Sequence, residues 1–227
     1  MSLLNQWQTL CEELKLEDPS NVKLKDDLEK IIFQSDRYIY EYTITVGGMG
    51  EIQSVFDNKL MRRVARKVLK NEHETDSVVR SRFIIEGQII SQLDHPNILP
   101  IYDMGTLLDK RPYFTMPIMR GATLQEIVYK IHEVSINGQW QSFEGWTWKR
   151  LVQSFIFVVE AVANAHSRGV VHRDIKPANV VVGENGETFL VDWGLAKVIR
   201  EAEKPIQTIE LTEELTEVGS VEGTPAF

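Results

Sequence analysis

The sequence predicts an α+β protein in which a strand-rich half precedes a helical half. Residues 38–57 follow a strand pattern interrupted by glycines, whereas residues 151–166 form a strongly apolar helical segment. A third observation is a tight hairpin, because β-branched runs at 180–182 and 188–191 flank a turn at 183–186 that contains two glycines.

Composition excludes several classes of protein. The 227-residue chain is 43% hydrophobic, so it can bury the core of one or two domains. A net charge of -8 argues against nucleic-acid binding. The sequence has neither an apolar run long enough to cross a bilayer nor a signal pattern. The single cysteine, Cys11, fits a reducing compartment. We therefore expect a soluble, cytoplasmic protein without nucleic-acid or membrane partners.

Residues 1–35 form a separate N-terminal segment. Apolar residues recur at helical spacing from Leu3 to Leu14 and again from Leu24 to Ile32, on either side of a break at Asp18 and Pro19. Two interpretations stay open: a pair of helices packed on the domain surface, or an arm that binds a partner or a second copy.

The predicted hairpin brings three polar side chains to one end. Asp174 and Asn179 precede the first strand, and Asp192 follows the second. Converging carboxylate and amide oxygens suit a hard cation such as Mg²⁺, which completes its coordination with water and phosphate oxygens.

The residues around this hairpin resemble a known family. His172-Arg173-Asp174, followed by Lys176 and Asn179, resembles the catalytic loop of protein kinases, and Asp192-Trp193-Gly194 resembles their metal-binding triplet, usually Asp-Phe-Gly. The surrounding residues are most similar to bacterial serine/threonine kinases, from Tyr38 to Phe227. The resemblance implies a two-lobed fold, with an antiparallel-sheet N-lobe carrying one main helix at 36–118 and an incomplete helical C-lobe at 119–227.

The kinase resemblance assigns a glycine-rich loop to the end of the first strand. In the family pattern G-x-G-x-x-G-x-V, the second and third glycines are Gly47 and Gly50, Ile52 stands for the valine, and Thr45 replaces the first glycine. Glycines let backbone amides approach phosphate oxygens where a Cβ would intrude. The resemblance therefore places Val46, Gly47, Gly48, Gly50 and Ile52 around ATP.

The remaining N-lobe residues are assigned by the same resemblance. Lys67 would hold the ATP phosphates and pair with Glu86 on the following helix, although a surface lysine and a solvent-facing glutamate are the plain alternatives. Ala65, Met116, Pro117, Met119 and Val181 would surround the adenine; Pro117 retains the carbonyl that its position needs, and Met119 supplies an N–H.

The resemblance also implies the chemistry. Asp174 would accept the proton of the substrate hydroxyl, Lys176 would support the γ-phosphate, and Asn179 and Asp192 would hold Mg²⁺. Lys176 favours protein substrates with serine or threonine acceptors. Arg173 implies control by phosphorylation of the activation segment. The candidate phosphorylation sites are Thr208, Thr212, Thr216 and Ser220; Thr224 resembles the residue that hydrogen-bonds the catalytic aspartate.

Three further expectations complete the interpretation. Trp193 should fill the apolar slot against Ile90, Ile101 and His172 that phenylalanine usually occupies. The helix at 151–166 exposes Phe155 and Phe157 unless more of the C-lobe follows Phe227 or a second copy covers them, so we expect truncation or self-association there. A nucleotide-binding scaffold without catalysis remains the alternative function. The tryptophan-rich insertion at 135–148 has no assigned role.

Overall fold

A computed structural model describes residues 37–73, 75–135, 145–199 and 206–209 of the protein. The predicted N-terminal segment 1–35 lies outside the described residues, as do Thr212, Thr216, Ser220 and Thr224. Among the described residues, no helix combines the length and the apolar character needed to span a bilayer.

Strands dominate the first half of the described chain. They are β1 (Tyr38–Val46), β2 (Gly50–Asp57), β3 (Arg62–Leu69), β4 (Asp103–Thr106) and β5 (Pro112–Met116). They form one sheet in the order β1-β2-β3-β5-β4, in which β5 pairs antiparallel with both β3 and β4. The helix α1 (Ser77–Gln92) follows β3 and begins at Asp76, whose carboxylate caps the amides of Val78 and Val79.

Helices and short strands make up the second half. The helices are α2 (Leu124–Ser135) and α3 (Trp148–Ser167), and the strands are β6 (Gly121–Thr123), β7 (Val170–Val171), β8 (Val180–Gly183), β9 (Thr188–Leu190) and β10 (Lys197–Val198). Strands β6, β8 and β9 form a three-stranded sheet, and β7 pairs with β10. An α+β architecture with a sheet-rich half and a helical half is therefore confirmed.

The described chain divides into two compact units. The smaller one contains residues 37–41 and 55–63, where Arg37 makes a bidentate contact with the buried carboxylate of Asp57 (3.2 and 3.1 Å). The larger one contains the described residues of 42–54 and 64–209. Every residue of the candidate site discussed below belongs to this larger unit.

The main core of the larger unit joins α1 to α3 and the hairpin. Ile85, Ile89 and Ile90 of α1 share one apolar cluster with Val158 and Ala161 of α3. Gly87 faces the sheet, where an added Cβ would meet the Met104 methyl and lie 3.3 Å from the Phe114 ring. The packing of α1 thus fixes the helix that carries Glu86.

A second core cluster contains one tryptophan of the insertion at 135–148. Trp146 is buried with Ile127 and Ile131 of α2 and Val182 of β8, and the Arg150 guanidinium lies 4.1 Å from its ring centre. Trp148 is two-thirds exposed, and residues 136–144 lie outside the described part of the chain. One tryptophan of the insertion therefore anchors α2.

One face of α3 is apolar and exposed. Phe155 is 63% exposed, and Ile156 and Val159 on the same helix are more than two-fifths exposed. Phe157, which we expected to be exposed as well, is half-buried.

Candidate active site

The hairpin predicted from the sequence is confirmed. Strands β8 and β9 pair antiparallel in the register Val180 to Leu190 and Val182 to Thr188. Gly183 closes the turn by donating its N–H to the Glu187 carbonyl at 2.8 Å. At the open end, the Val191 N–H donates to the Asn179 carbonyl at 2.9 Å. Asn179 and Asp192 are therefore held at the same end of the hairpin.

The loop before β8 gathers three of the predicted site residues. The Asn179 side-chain amide donates to the Asp174 carboxylate at 2.9 Å and to the Asp174 carbonyl at 2.8 Å. The Lys176 ammonium lies 2.8 Å from the same carboxylate oxygen of Asp174. Asp174 and Asn179 are both buried. The carboxylate is thus fixed in direction by an amide and a cation.

Two backbone conformations at this site are unusual. Arg173 has φ 66° and Asp192 has φ 63°, in the left-handed region that residues other than glycine seldom adopt. The Arg173 guanidinium donates to the Leu195 carbonyl at 2.6 Å, which ties the loop before β8 to the chain after Asp192. Strain of this kind concentrates at functional sites.

His172 and Trp193 connect the loop before β8 to the chain that follows β9. Their rings lie 4.5 Å apart, and the Trp193 indole donates to the Leu190 carbonyl at 3.3 Å. Trp193 is only 1% exposed and shares its apolar cluster with Ile90 and Ile101, so the expectation that it fills the slot is confirmed.

The position of His172 is fixed by hydrogen bonds on both ring nitrogens. The Asp174 N–H donates to Nδ1 of His172, and Nε2 lies 3.2 Å from the Val191 carbonyl. This arrangement requires a neutral ring with the proton on Nε2. Burial lowers the pKa of His172, which favours the same neutral form.

Lys67 and Glu86 form a close ion pair inside the larger unit. The Lys67 ammonium lies 2.6 Å from Oε1 of Glu86, and the Glu86 side chain is 2% exposed. Burial raises the pKa of Glu86, an effect that the Lys67 ammonium opposes. The second carboxylate oxygen, Oε2, is buried and has no hydrogen-bond partner among the described residues. An unpartnered oxygen of this kind fits a site that receives a further donor when a ligand binds.

Most of the predicted nucleotide-binding residues line a single cavity of about 560 Å³. Its walls include Lys67, Glu86 and Asp192. They also include ten of the eleven residues assigned to nucleotide binding, namely Gly47, Gly48, Gly50, Ile52, Ala65, Lys67, Met116, Pro117, Met119 and Val181. A cavity of this size accommodates a nucleotide-sized ligand.

Val46 is the eleventh residue that the resemblance assigns to nucleotide binding, and the structure places it outside the cavity wall. Its side chain is 60% exposed and does not line the cavity, whereas its neighbours Thr45 and Gly47 do.

Several lining residues were not predicted. Ile44 and Leu99 add apolar wall, and Thr123 and Glu126 add polar groups. Thr123 and Glu126 form a capping box at the start of α2: the Glu126 carboxylate accepts from the amide and hydroxyl of Thr123, and the Glu126 N–H donates to that hydroxyl. The T-x-x-E spacing is a sequence signal for the start of α2, but it does not indicate that either residue lines a cavity.

Asp174, Lys176 and Asn179 do not line the cavity. They are joined to it through the bond between Val191 and Asn179, because Val191 and Asp192 both lie in the cavity wall. The arrangement therefore has two parts: a nucleotide-sized cavity and, next to its wall, the Asp174 carboxylate with the Lys176 ammonium and the Asn179 amide bound to it.

The donor set at that end fits Mg²⁺ rather than a fully protein-bound metal. Among the described residues there is no cluster of three or more His, Cys, Asp or Glu side chains that could hold an ion. Asn179 and Asp192 offer one amide and one carboxylate oxygen, which matches an ion that keeps waters and takes phosphate oxygens.

A family model and the curated relatives that match this chain all belong to protein kinases. The sequence model of the protein kinase domain matches residues 38–222. The serine/threonine-protein kinase PknD of Protochlamydia amoebophila is 35% identical over 209 residues, which cover 89% of this chain and 21% of that protein. The probable serine/threonine-protein kinase PknB of Bifidobacterium longum is 30% identical over 171 residues, covering 72% of this chain and 23% of that protein. The chain thus spans about a fifth of the length of these relatives.

Proposed function

Because the chain belongs to the protein kinase domain family, we propose that it transfers the γ-phosphate of ATP to serine or threonine hydroxyl groups of proteins. The observation that carries the proposal is the Lys67–Glu86 ion pair of 2.6 Å in the wall of a cavity that glycines 47, 48 and 50 and Asp192 also line. Phosphoryl transfer requires mainly positioning and neutralisation of charge, and this cavity offers both.

The cavity residues would bind and orient the nucleotide. The apolar wall made by Ala65, Met116 and Val181 would enclose the adenine. The Lys67 ammonium would contact the phosphates, while the buried Glu86 carboxylate keeps that ammonium in place. Asn179 and Asp192 would hold Mg²⁺, which supplies charge neutralisation on the phosphates when it is bound.

Asp174 is the residue that we propose as proton acceptor. The substrate hydroxyl oxygen forms a bond to the γ-phosphorus, the bond from that phosphorus to the bridging oxygen of ADP breaks, and the hydroxyl proton moves to the Asp174 carboxylate. The Asn179 amide and the Lys176 ammonium hold this carboxylate at 2.9 and 2.8 Å. Lys176 is near enough to Asp174 to stabilise negative charge on the transferring group as well.

We propose a protein substrate, in keeping with the named activity of the relatives, and action in the cytoplasm, where ATP is available. The single cysteine of the sequence supports a reducing compartment. Self-association through residues 1–35 or through the exposed apolar face of α3 stays a prediction.

The test is transfer of labelled γ-phosphate to a basic test protein in the presence of Mg²⁺. Asp174→Asn should lower the rate by about 10²-fold or more, because the amide cannot accept the proton. Asp94→Asn is the matched control, since Asp94 is an exposed aspartate outside the site, and it should react at the wild-type rate. Undiminished transfer by Asp174→Asn would refute the assignment of the base, and nucleotide binding without transfer by the wild type would refute the proposed activity.

A further inference from the structure

The sheet of the first half has two faces, and the pairing of β3 with β5 assigns residues to each. Opposite residues of an antiparallel pair lie on the same face, and successive residues of a strand alternate between faces. Lys67 is paired with Phe114, and both side chains line the cavity. The residues that alternate with them lie on the other face, which we call the outer face; on β3 and β5 they are Val64, Arg66, Val68, Tyr113 and Thr115.

The outer face is buried. Val64, Val68 and Thr115 are each at most 1% exposed. Side chains on a solvated sheet face project into water and stay accessible. Burial this complete therefore requires a layer of protein over the outer face.

Arg66 shows that this layer lies beyond the side chains of the sheet. The Arg66 guanidinium is 5.5 Å from the centre of the Tyr113 ring and donates to the Gln53 side-chain oxygen at 2.8 and 3.1 Å. At an uncovered surface an arginine keeps its guanidinium in water. Here Arg66 is 8% exposed and Gln53 is 6% exposed, so a further layer covers both side chains.

The described helices do not supply this layer. Phe83 of α1 packs on Leu69 and Phe114, which places α1 on the cavity face of the sheet. The helices α2 and α3 pack against strands of the second half instead. The layer over the outer face therefore comes from outside residues 37–73, 75–135, 145–199 and 206–209.

The N-terminal segment has the pattern and the reach for this position. Leu24, Leu28, Ile31 and Ile32 recur at helical spacing, which predicts a helix with one apolar side. Five residues separate Ile32 from the start of β1 at Tyr38, and an extended chain of that length spans at most about 20 Å. Because β3 lies two strands from β1, about 10 Å away, the predicted helix can reach the outer face.

Two further observations favour the N-terminal segment over the other parts of the chain that the structure does not describe. Residues 1–35 contain seven acidic and four basic side chains, which complements the buried guanidinium of Arg66. The other segments start elsewhere in the fold: residues 136–144 join α2 to α3, and residues 210–227 follow Ile209, whose N–H donates to Gln88 of α1.

We infer that residues 1–35 dock on the outer face of the sheet within the same chain, with the apolar side of the 24–32 stretch against Val64 and Val68. Of the two interpretations that the sequence leaves open, the buried outer face favours a segment packed on the domain over an arm that binds a second copy. The inference does not depend on the proposed phosphate transfer.

The first experiment measures the exposure of the outer face through a single thiol. Cys11 is the only cysteine of the chain, so a Cys11→Ala background accepts one probe at a time. Val68→Cys places the thiol on the outer face, and Leu108→Cys, at a residue that is 97% exposed, gives the rate of an open site. In the full chain a maleimide should label Val68→Cys at least about 100-fold more slowly than Leu108→Cys, because the buried thiol reacts only after the covering segment opens.

Substitutions in the N-terminal segment then identify the covering layer. Leu28→Gln removes an apolar side chain from the predicted docking side, whereas Lys30→Gln introduces the same residue on the opposite side of the predicted helix. Leu28→Gln should accelerate the labelling of Val68→Cys about tenfold or more, because the burial of a leucine is lost. Lys30→Gln should change that rate by less than about twofold, as expected for a surface substitution.

A second thiol position recognises general unfolding. Ala161 lies in the core of α3 and is fully buried. Ala161→Cys should therefore stay protected from the maleimide when Leu28→Gln is added, whereas a globally destabilised chain would expose both thiols.

A photo-crosslinker distinguishes the same chain from a second copy. Leu28→benzoylphenylalanine bonds to neighbouring C–H groups on illumination and leaves the sheet unaltered. The product should have the mass of one chain and should link position 28 to a peptide from β3 or β5. Lys30→benzoylphenylalanine should give little of this product.

Labelling of Val68→Cys at the rate of Leu108→Cys would overturn the inference, because the outer face would then be open. Equal labelling of Val68→Cys with Leu28→Gln and with Lys30→Gln would overturn it as well, since another layer would cover the face. A photo-product with the mass of two chains would assign the segment to a second copy instead. If Val68→Cys does not fold, the photo-product decides the matter alone, and neither experiment requires nucleotide or phosphate transfer.

Discussion

Two glycines of the loop between β1 and β2 should respond differently to the same small change. A Cβ added to Gly50 would lie 2.8 Å from the Val68 carbonyl oxygen, with the Phe83 ring and the Lys67 side chain at 3.6 Å. A Cβ added to Gly48 would meet nothing within 4 Å. The sequence interpretation treats both glycines as phosphate-binding, whereas the structure gives Gly50 a packing reason of its own.

The loss of stability in Gly50→Ala can be estimated from the backbone atoms that the added methyl group would displace. An ordinary contact is 3.4 Å or longer, so either β2 or the Val68 carbonyl of β3 must shift by more than half an ångström. Backbone within a sheet yields less easily than a side chain, and overpacking of this kind costs about 1–3 kcal/mol. We therefore expect Gly50→Ala to lower the free energy of unfolding by that amount and to weaken ATP binding, because the displaced strand belongs to the cavity wall.

Gly48→Ala is the matched substitution. It should leave the free energy of unfolding within about 0.5 kcal/mol of the wild type, as expected for a surface change. It should nevertheless raise Kd for ATP, because its methyl group would enter the space where we place the phosphates. Urea unfolding and nucleotide titration measure the two effects separately. Equal stability loss in both variants, or unchanged ATP affinity in Gly48→Ala, would refute this reasoning.

Two further predictions concern Trp193 and His172, whose rings lie 4.5 Å apart. Trp193→Phe should retain phosphate transfer but lose roughly 2 kcal/mol of stability, since it removes about two buried carbon groups of the indole and its bond to Leu190; near-complete loss of transfer in a folded variant would contradict the prediction. Burial holds the pKa of His172 in the folded protein below the value of about 6.5 expected in the unfolded chain. The free energy of unfolding should therefore fall as the pH drops from about 6.5 through that lowered pKa, because the unfolded chain binds the proton more readily. Urea unfolding between pH 8 and pH 5 checks this, and His172→Phe should show a shallower dependence; equal slopes would argue against His172 as the source.

Much of the architecture could be predicted because its signals are local. The hairpin around residues 183–186 follows from two β-branched runs and a glycine turn, and in the structure Val180–Gly183 pairs antiparallel with Thr188–Leu190, one residue short of the predicted second run. The proximity of Lys67 and Glu86 came from the family resemblance; an isolated lysine and glutamate nineteen positions apart carry no such information.

Other features depend on packing between distant segments, which periodicity does not encode. The close surroundings of Gly87 come from Met104 of β4 and Phe114 of β5, which lie against it from other parts of the chain. The direction of Val46 depends on where a strand ends and the loop begins, which is the least certain part of a sequence prediction. The contacts of Gln92 with Gln207 link residues 115 positions apart, and both residues look like ordinary surface glutamines in the sequence.

The most direct test of the central claim is the effect of Mg²⁺ on ATP binding in the wild type and in Asp192→Asn. If Asp192 in the cavity wall holds the ion against the ATP phosphates, Mg²⁺ should tighten ATP binding in the wild type and should do so at least about tenfold less effectively in the variant. Binding of adenosine, which lacks phosphates, should be the same in both. An equal effect of Mg²⁺ on ATP binding in the two proteins would contradict the account.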